Sequence, residues 1–116
     1  MAQPPVDIST LKDLVANTDM AFVQELIEAF LEDGREQIAA MRQSLASGDA
    51  LVFQRAAHSL KSSSASIGVL EFSDLAKELE MLAKQGNLPA APEKLEQIAS
   101  AFPTVEQALQ AFQHGS

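Results

Sequence analysis

The sequence has no cysteine, no tryptophan and no tyrosine, and it has little positive charge. Without cysteine the chain can form neither a disulfide nor a thiolate metal site, which is compatible with a reducing compartment. Lys and Arg number 8 against 16 Asp and Glu, giving a formal charge of -8. Such a surface repels phosphate backbones and anionic lipid headgroups, so nucleic acid and membranes are not expected as partners.

Long hydrophobic runs are also absent. The apolar runs are a few residues long and are interrupted by Asp, Glu, Gln or Lys, so no segment is expected to span a bilayer. The first ten residues lack the basic start and apolar centre of a signal peptide. We therefore expect a soluble, cytoplasmic protein.

The length of 116 residues fits one domain, and the 47% hydrophobic and 21% charged content is usual for a folded one. Residues 1–116 are therefore assigned to a single domain in which residues 1–8 are expected to be flexible.

Apolar residues recur at intervals of three and four along nearly the whole chain, which is typical of amphipathic helices. The pattern predicts a short helix from Ser9 to Asn17 and four long ones: from about residue 20 to Ser47, from Ala50 to Ile67, from about Phe72 to near Gly86, and from Pro92 to the end. We therefore predict an all-α fold, an antiparallel up-down four-helix bundle with a short additional N-terminal helix.

Several positions carry their own expectations. Thr18 or Asp19 is predicted to cap the second helix, and Gly48 and Asp49 to separate it from the third. Gly34 is a local weakness within the second helix. The last helix is predicted to continue past Pro103 with a kink, with a break there as the alternative. The six Phe residues are expected in the core.

His58 is the candidate functional residue. The third helix buries a stripe formed by Phe53, Ala56, Ala57, Leu60, Ser64 and Ile67. At about 100° per residue, His58 lies roughly 140° from the middle of this stripe and is predicted to face water.

The neighbours of His58 indicate what its ring could do. Lys61 disfavours a charged imidazolium, favours a neutral ring able to act as a nucleophile, and attracts anions. Gln54, Ser62 and Ala65 lie on the same face, and the short side chains of the last two leave the ring accessible. The alternative is an ordinary solvated helix face. A metal site is not expected, because the only other histidine is His114.

The stretch AHSLKSSSASIG resembles the motif of histidine-containing phosphotransfer (HPt) domains, approximately A-H-x-L-K-G-S-[SA]-x-x-[LIV]-G. The residues that match it are Ala57, His58, Leu60, Lys61, Ser63, Ile67 and Gly68. The likeness extends to LAKELE and AFPTVEQAL and leaves out only the first ten residues and the loop around 86–92. Ser62 departs from the family, which usually has glycine there and so lets a receiver domain approach.

The resemblance implies a phosphorelay intermediate without kinase activity of its own. His58 would accept a phosphoryl group from the aspartate of a receiver domain, in a response regulator or a hybrid sensor histidine kinase, and pass it to another receiver. Lys61 would stabilise phosphoryl charge, and Glu80 is a candidate orienter of the His58 ring, with a plain surface glutamate as the alternative. The chain would need no cofactor, because the receiver would supply Mg²⁺.

The resemblance also implies where a partner binds. The expected contact residues are Gln54, Ser62, Ala65 and Val69, and the chain is expected to be a monomer. Two rival functions remain open from the sequence. One is a helical-bundle adaptor that binds a receiver or another signalling protein without chemistry, and the other is a fragment of a histidine kinase, which would dimerise.

Overall fold

The computed structural model describes residues 5–114, and over that range it is all-helical, as predicted. Its helices are α1 (Ile8–Asn17), α2 (Met20–Ser47), α3 (Ala50–Ser66), α4 (Leu70–Lys84) and α5 (Ala91–Gln113), with a 3₁₀ turn (Leu88–Ala90) before α5. None of these helices is both long and apolar enough to cross a membrane.

The four long helices form a bundle. In this bundle α3 packs between α2 and α4, and α5 closes the other side by packing on α2 and α4. The connections between consecutive helices are short, which makes neighbouring helices antiparallel. The additional helix, α1, packs against α2. The predicted fold class is confirmed.

Aspartate side chains cap the N-termini of three of the helices. Asp19 caps α2 by accepting a hydrogen bond from the Phe22 backbone N–H at 2.8 Å, so Asp19 rather than Thr18 is the cap. Gly48 ends α2 in the left-handed region with φ 76°, and Asp49 then caps α3. The separation of α2 from α3 is therefore the one expected from the sequence.

The segment before α1 packs more closely than the sequence suggested. The sequence predicts that residues 1–8 are flexible, and residues 1–4 lie outside the described range. Val6, however, is buried, and the Asp7 backbone N–H donates a hydrogen bond to the Gly68 carbonyl at 2.8 Å. Gly68 has φ 80°, and a Cβ atom there would lie 2.9 Å from the Asp7 carbonyl oxygen. Glycine at this corner therefore allows both the turn into α4 and the close approach of the N-terminal segment.

The expectation that all six Phe residues lie in the core is wrong for Phe22, which is 45% exposed. Val23, the next residue, occupies the interior position of that turn and is fully buried. Since successive helical residues differ by about 100°, the side chain of Phe22 is directed away from the core. Phe112 is half-buried, and the other Phe residues are buried.

Gly34 is more than a weak point in α2. It is buried where α2 meets α5, and a Cβ atom there would lie 2.7 Å from the Phe102 ring. The missing side chain thus makes room for an aromatic ring of α5. The prediction that α5 continues past Pro103 is confirmed, so the alternative of a break there is wrong, and the proline lies on the exposed side of the helix.

Candidate functional site

His58 lies in the middle of α3 and its side chain is 59% exposed. Its neighbours Ala57 and Leu60 are fully buried, because they face the interior of the bundle. The helical register had predicted this orientation, and the structure confirms that the ring is accessible.

Helix α4 brings Glu80 to the ring. The His58 Nδ1 atom lies 2.8 Å from Glu80 Oε2, and the Lys61 ammonium donates to Glu80 Oε1 at 2.7 Å. The Glu80 side chain is only 6% exposed. The sequence left open whether Glu80 is an ordinary surface residue, and its burial between two helices excludes that alternative.

The carboxyl group of Glu80 is ionised at neutral pH. The pKa of Glu80 is lowered from 4.5 to about 2, chiefly by the hydrogen bond from Lys61. The hydrogen bond with His58 and the charge of Lys84 also lower this pKa, whereas burial raises it. An ionised carboxylate can only accept hydrogen bonds, so the proton of this contact is on Nδ1. A neutral His58 ring then carries its lone pair on Nε2, the nitrogen remote from Glu80.

The electrostatics of the ring differ from those inferred from Lys61 alone. The sequence placed an isolated cation three residues after the histidine. In the structure that cation is bound to Glu80 and its side chain is 29% exposed, so a carboxylate contacts both the ring and the ammonium. The positive charge of Lys61 near His58 is therefore opposed by a negative charge that the sequence argument did not include.

Two further residues of the site had not been identified from the sequence. Lys84 lies one helical turn after Glu80, with its ammonium 3.5 Å from Oε2, and the i,i+4 spacing of the two residues was the available signal. Ser73 donates its hydroxyl hydrogen bond to the Lys61 carbonyl at 3.1 Å, linking α4 to α3 beside the site. No sequence pattern identified Ser73, because this contact depends on how the helices pack.

The residues expected to contact a partner do not all lie at the surface. Ser62 and Ala65 are exposed and Gln54 is partly exposed. Val69 is fully buried, so the expectation that its side chain contributes to the surface is wrong. Val69 follows the Gly68 corner and occupies the N-cap position of α4, rather than the outer face of α3.

One exposed apolar residue extends this surface. Leu51 is 54% exposed and precedes His58 by two helical turns, so it lies on the same face of α3. The seven-residue spacing of Leu51 and His58 was the signal in the sequence that could have identified Leu51.

Charge is distributed unevenly around the bundle. Helix α3 contains Arg55 and Lys61 and no acidic residue. The acidic residues of α2 are Glu25, Glu28, Glu32, Asp33 and Glu36. Within residues 5–114 no group of three or more His, Asp or Glu side chains is arranged to hold a metal ion. The helix that presents His58 is thus free of acidic side chains in a strongly acidic chain.

The fold and the site define a helical bundle with an exposed histidine that is hydrogen-bonded to a buried carboxylate. The family model of the Hpt domain matches residues 25–115, and the chain belongs to the Hpt domain family. Proteins of this family are histidine phosphotransfer carriers of two-component signalling; they interact with response-regulator receivers and histidine kinases and are not themselves kinases.

Two solved structures resemble this chain over nearly its whole length. One is histidine-containing phosphotransfer protein B from Pseudomonas aeruginosa PAO1, with a TM-score of 0.91, 27% sequence identity and 99% of each chain covered. The other is the HPT domain of a sensor hybrid histidine kinase from Shewanella, with a TM-score of 0.76, 18% identity, and 95% of this chain and 98% of that chain covered; its likeness concerns the fold alone. A search of curated proteins finds no significant match.

Proposed function

We propose that the chain is a phosphorelay intermediate that accepts a phosphoryl group on His58 from a receiver-domain aspartate and passes it to another receiver. The observation that carries this proposal is the hydrogen-bonded arrangement of His58, Glu80 and Lys61. The ring is exposed, while the carboxylate that holds its Nδ1 atom is buried. A nucleophile that is accessible on one side and fixed on the other suits transfer between two docked proteins.

The transfer begins with the lone pair of His58 Nε2. This nitrogen attacks the phosphorus atom of the aspartyl phosphate, a P–N bond forms, and the P–O bond to the aspartate breaks. The aspartate leaves as a carboxylate, and the proton on Nδ1 stays in its hydrogen bond to Glu80. The ring gains positive charge in this step, and the adjacent carboxylate stabilises that charge. Glu80 therefore acts as a positioning residue that also supports the phosphorylated ring.

Lys61 is proposed to stabilise the phosphoryl group. Its ammonium is held 2.7 Å from Glu80, one helical turn from His58, and it remains partly exposed. An ammonium at this place can interact with phosphoryl oxygens as negative charge develops on them. The receiver would supply Mg²⁺ and most of the remaining stabilisation, so this chain would need no cofactor.

The receiver is proposed to dock on the face of α3 that carries His58. Gln54, Ser62 and Ala65 surround the ring on this face. A receiver that holds Mg²⁺ does so with carboxylates, and a helix without acidic side chains avoids repelling them. The Ser62 side chain reduces clearance compared with glycine, and its hydroxyl could donate to the phosphoryl group. We further propose that the chain acts as a monomer in the cytoplasm.

The test is phosphoryl transfer from a phosphorylated receiver domain in the presence of Mg²⁺. We expect wild-type protein to acquire an acid-labile, base-stable label, and His58→Gln to acquire none. His114→Gln is the matched control, because it removes the other histidine from an exposed position at the end of α5. It should be labelled like the wild type.

Circular dichroism checks that the His58→Gln variant is folded. Its helicity should equal that of the wild type, because the substituted side chain lies outside the core. Label retained in His58→Gln would refute phosphorylation at this residue. No label on folded wild-type protein from any of a panel of receivers would favour the adaptor function instead.

A further inference from the structure

The role of Lys84 is not explained by the roles proposed for His58, Lys61 and Glu80. Its ammonium lies 3.5 Å from Glu80 Oε2, the same oxygen that contacts His58 Nδ1. Lys61 occupies the other carboxylate oxygen at the shorter distance of 2.7 Å. The Lys84 side chain is 55% exposed, so it approaches the cluster from the solvent side.

The charges of this cluster do not balance. Glu80 supplies one negative charge, whereas Lys61 and Lys84 supply two positive charges around a neutral ring. Lys61, which makes the shortest contact, alone matches the single negative charge of the carboxylate. The charge of Lys84 is therefore in excess at this site, although the chain as a whole has a formal charge of -8.

We propose that Lys84 is a second phosphoryl-binding cation, whose ammonium moves from Glu80 to the phosphoryl group when that group is attached to His58. This assignment rests on the proposed phosphorylation of His58. An exposed ion pair such as Lys84–Glu80 is weak, and a lysine side chain has a flexible four-carbon stem. A phosphoryl group of about -1.5 to -2 charge attracts the ammonium more strongly than a single carboxylate does.

The position of Lys84 on α4 supports this exchange. It lies in the last turn of the helix, where the partial negative charge of the backbone carbonyl groups favours a cation. The ammonium is thus kept near the site without being fixed to one acceptor. After transfer, Lys61 and Lys84 would contact the phosphoryl group from two helices.

The equilibrium of the transfer distinguishes phosphoryl binding from receiver docking. A residue that only helps the two proteins to dock changes the forward and reverse rates alike and leaves the equilibrium between the separated proteins unchanged. A residue that binds the phosphoryl group stabilises only the phosphorylated form and shifts this equilibrium. The fraction of label on each protein should therefore be measured at concentrations low enough that the complex is scarce.

The variants to compare are Lys84→Gln, Lys84→Arg and Lys94→Gln. The last is the matched control, because Lys94 forms a similar ion pair, 3.3 Å from Glu78, with a different carboxylate. We expect Lys84→Gln to shift the equilibrium toward the phosphorylated receiver by roughly two- to five-fold, as for an exposed charge contact. Lys84→Arg keeps the charge and should therefore keep most of the wild-type equilibrium. Added salt should make the difference between wild type and Lys84→Gln smaller.

The possible outcomes separate this inference from the proposed function. If wild-type protein is labelled at His58 but Lys84→Gln has the same equilibrium as Lys94→Gln, the role of Lys84 is refuted and the relay function stands. Failure of Lys84→Arg to restore the equilibrium would also refute a charge contact. If folded wild-type protein takes no label, the proposed function fails and the assignment of Lys84 fails with it.

Discussion

The ion pairs on the α3–α4 side of this bundle and those on the α2–α5 side differ in burial. The Glu80 carboxylate of α4 contacts His58 and Lys61 of α3 and also Lys84 of its own helix, and its side chain is 6% exposed. Between α2 and α5, Arg42 pairs with Glu96 at 3.1 Å, and their side chains are 53% and 63% exposed. Arg35 and Glu106 form a second pair on that side.

The difference in burial determines which carboxylate costs free energy to remove from water. A carboxylate removed from water needs several compensating partners, and Glu80 has them on both oxygens. A carboxylate that remains in water needs no such partners, so the ion pair of Glu96 with Arg42 contributes little to the stability of the fold. The apolar contact of Gly34 with the Phe102 ring is the more specific feature between α2 and α5. The α3–α4 side is thus organised by a polar network, whereas packing organises the α2–α5 side.

The largest effect is expected from removing the buried charge. Glu80→Gln keeps the shape of the side chain but removes the charge that binds Lys61, and hydrogen bonds to charged groups contribute about 1.5–3 kcal/mol. We therefore expect the free energy of unfolding at pH 7 to fall by about 1.5–3 kcal/mol. Urea unfolding followed by circular dichroism measures this change.

The matched control for this prediction is Glu96→Gln, which removes the same charge from an exposed ion pair. Its effect should stay within about 0.5 kcal/mol. Equal effects of the two variants would contradict the comparison, because burial of Glu80 would then make no energetic difference.

The effect of Glu80→Gln should also depend on pH. In the folded protein the contact with Lys61 above all lowers the pKa of Glu80 from 4.5 to about 2, so the unfolded chain binds the proton more readily. The stability that the ionised carboxylate contributes is complete above about pH 5 and is lost as the pH falls toward 2. The wild type should therefore lose its advantage over Glu80→Gln across this range.

Unfolding of both proteins in urea at several pH values between 2.5 and about 7 tests this dependence. Other carboxylates titrate in the same range, but they are common to both proteins and cancel in the difference. A difference that stays constant with pH would mean that the charge of Glu80 is not what stabilises the fold.

The sequence predicted the helices and the orientation of His58 because both depend on local periodicity. The same reasoning was insufficient for Glu80, since its burial depends on the rotation of α4 against α3. It was wrong for Val69, because the chain turns inward after the Gly68 corner, and for Phe22, because one residue of helical rotation separates core from solvent. The burial of Glu80 and Val69 depends on tertiary packing, which leaves no pattern in a single sequence, whereas the exposure of Phe22 follows from the register of α2.

The smallest effect is expected from the pair of Arg42 and Glu96. A double-mutant cycle with Arg42→Gln and Glu96→Gln isolates their interaction from the other changes that each substitution makes. We expect a coupling free energy of about 0.2–1 kcal/mol, decreasing as salt is added. The corresponding cycle with Lys61→Gln and Glu80→Gln should give a larger coupling that salt reduces less, because the Glu80 carboxylate is buried. A coupling of Arg42 with Glu96 that equals or exceeds the coupling at Glu80 would reverse the order argued here, and the α2–α5 ion pairs would then count among the determinants of the fold.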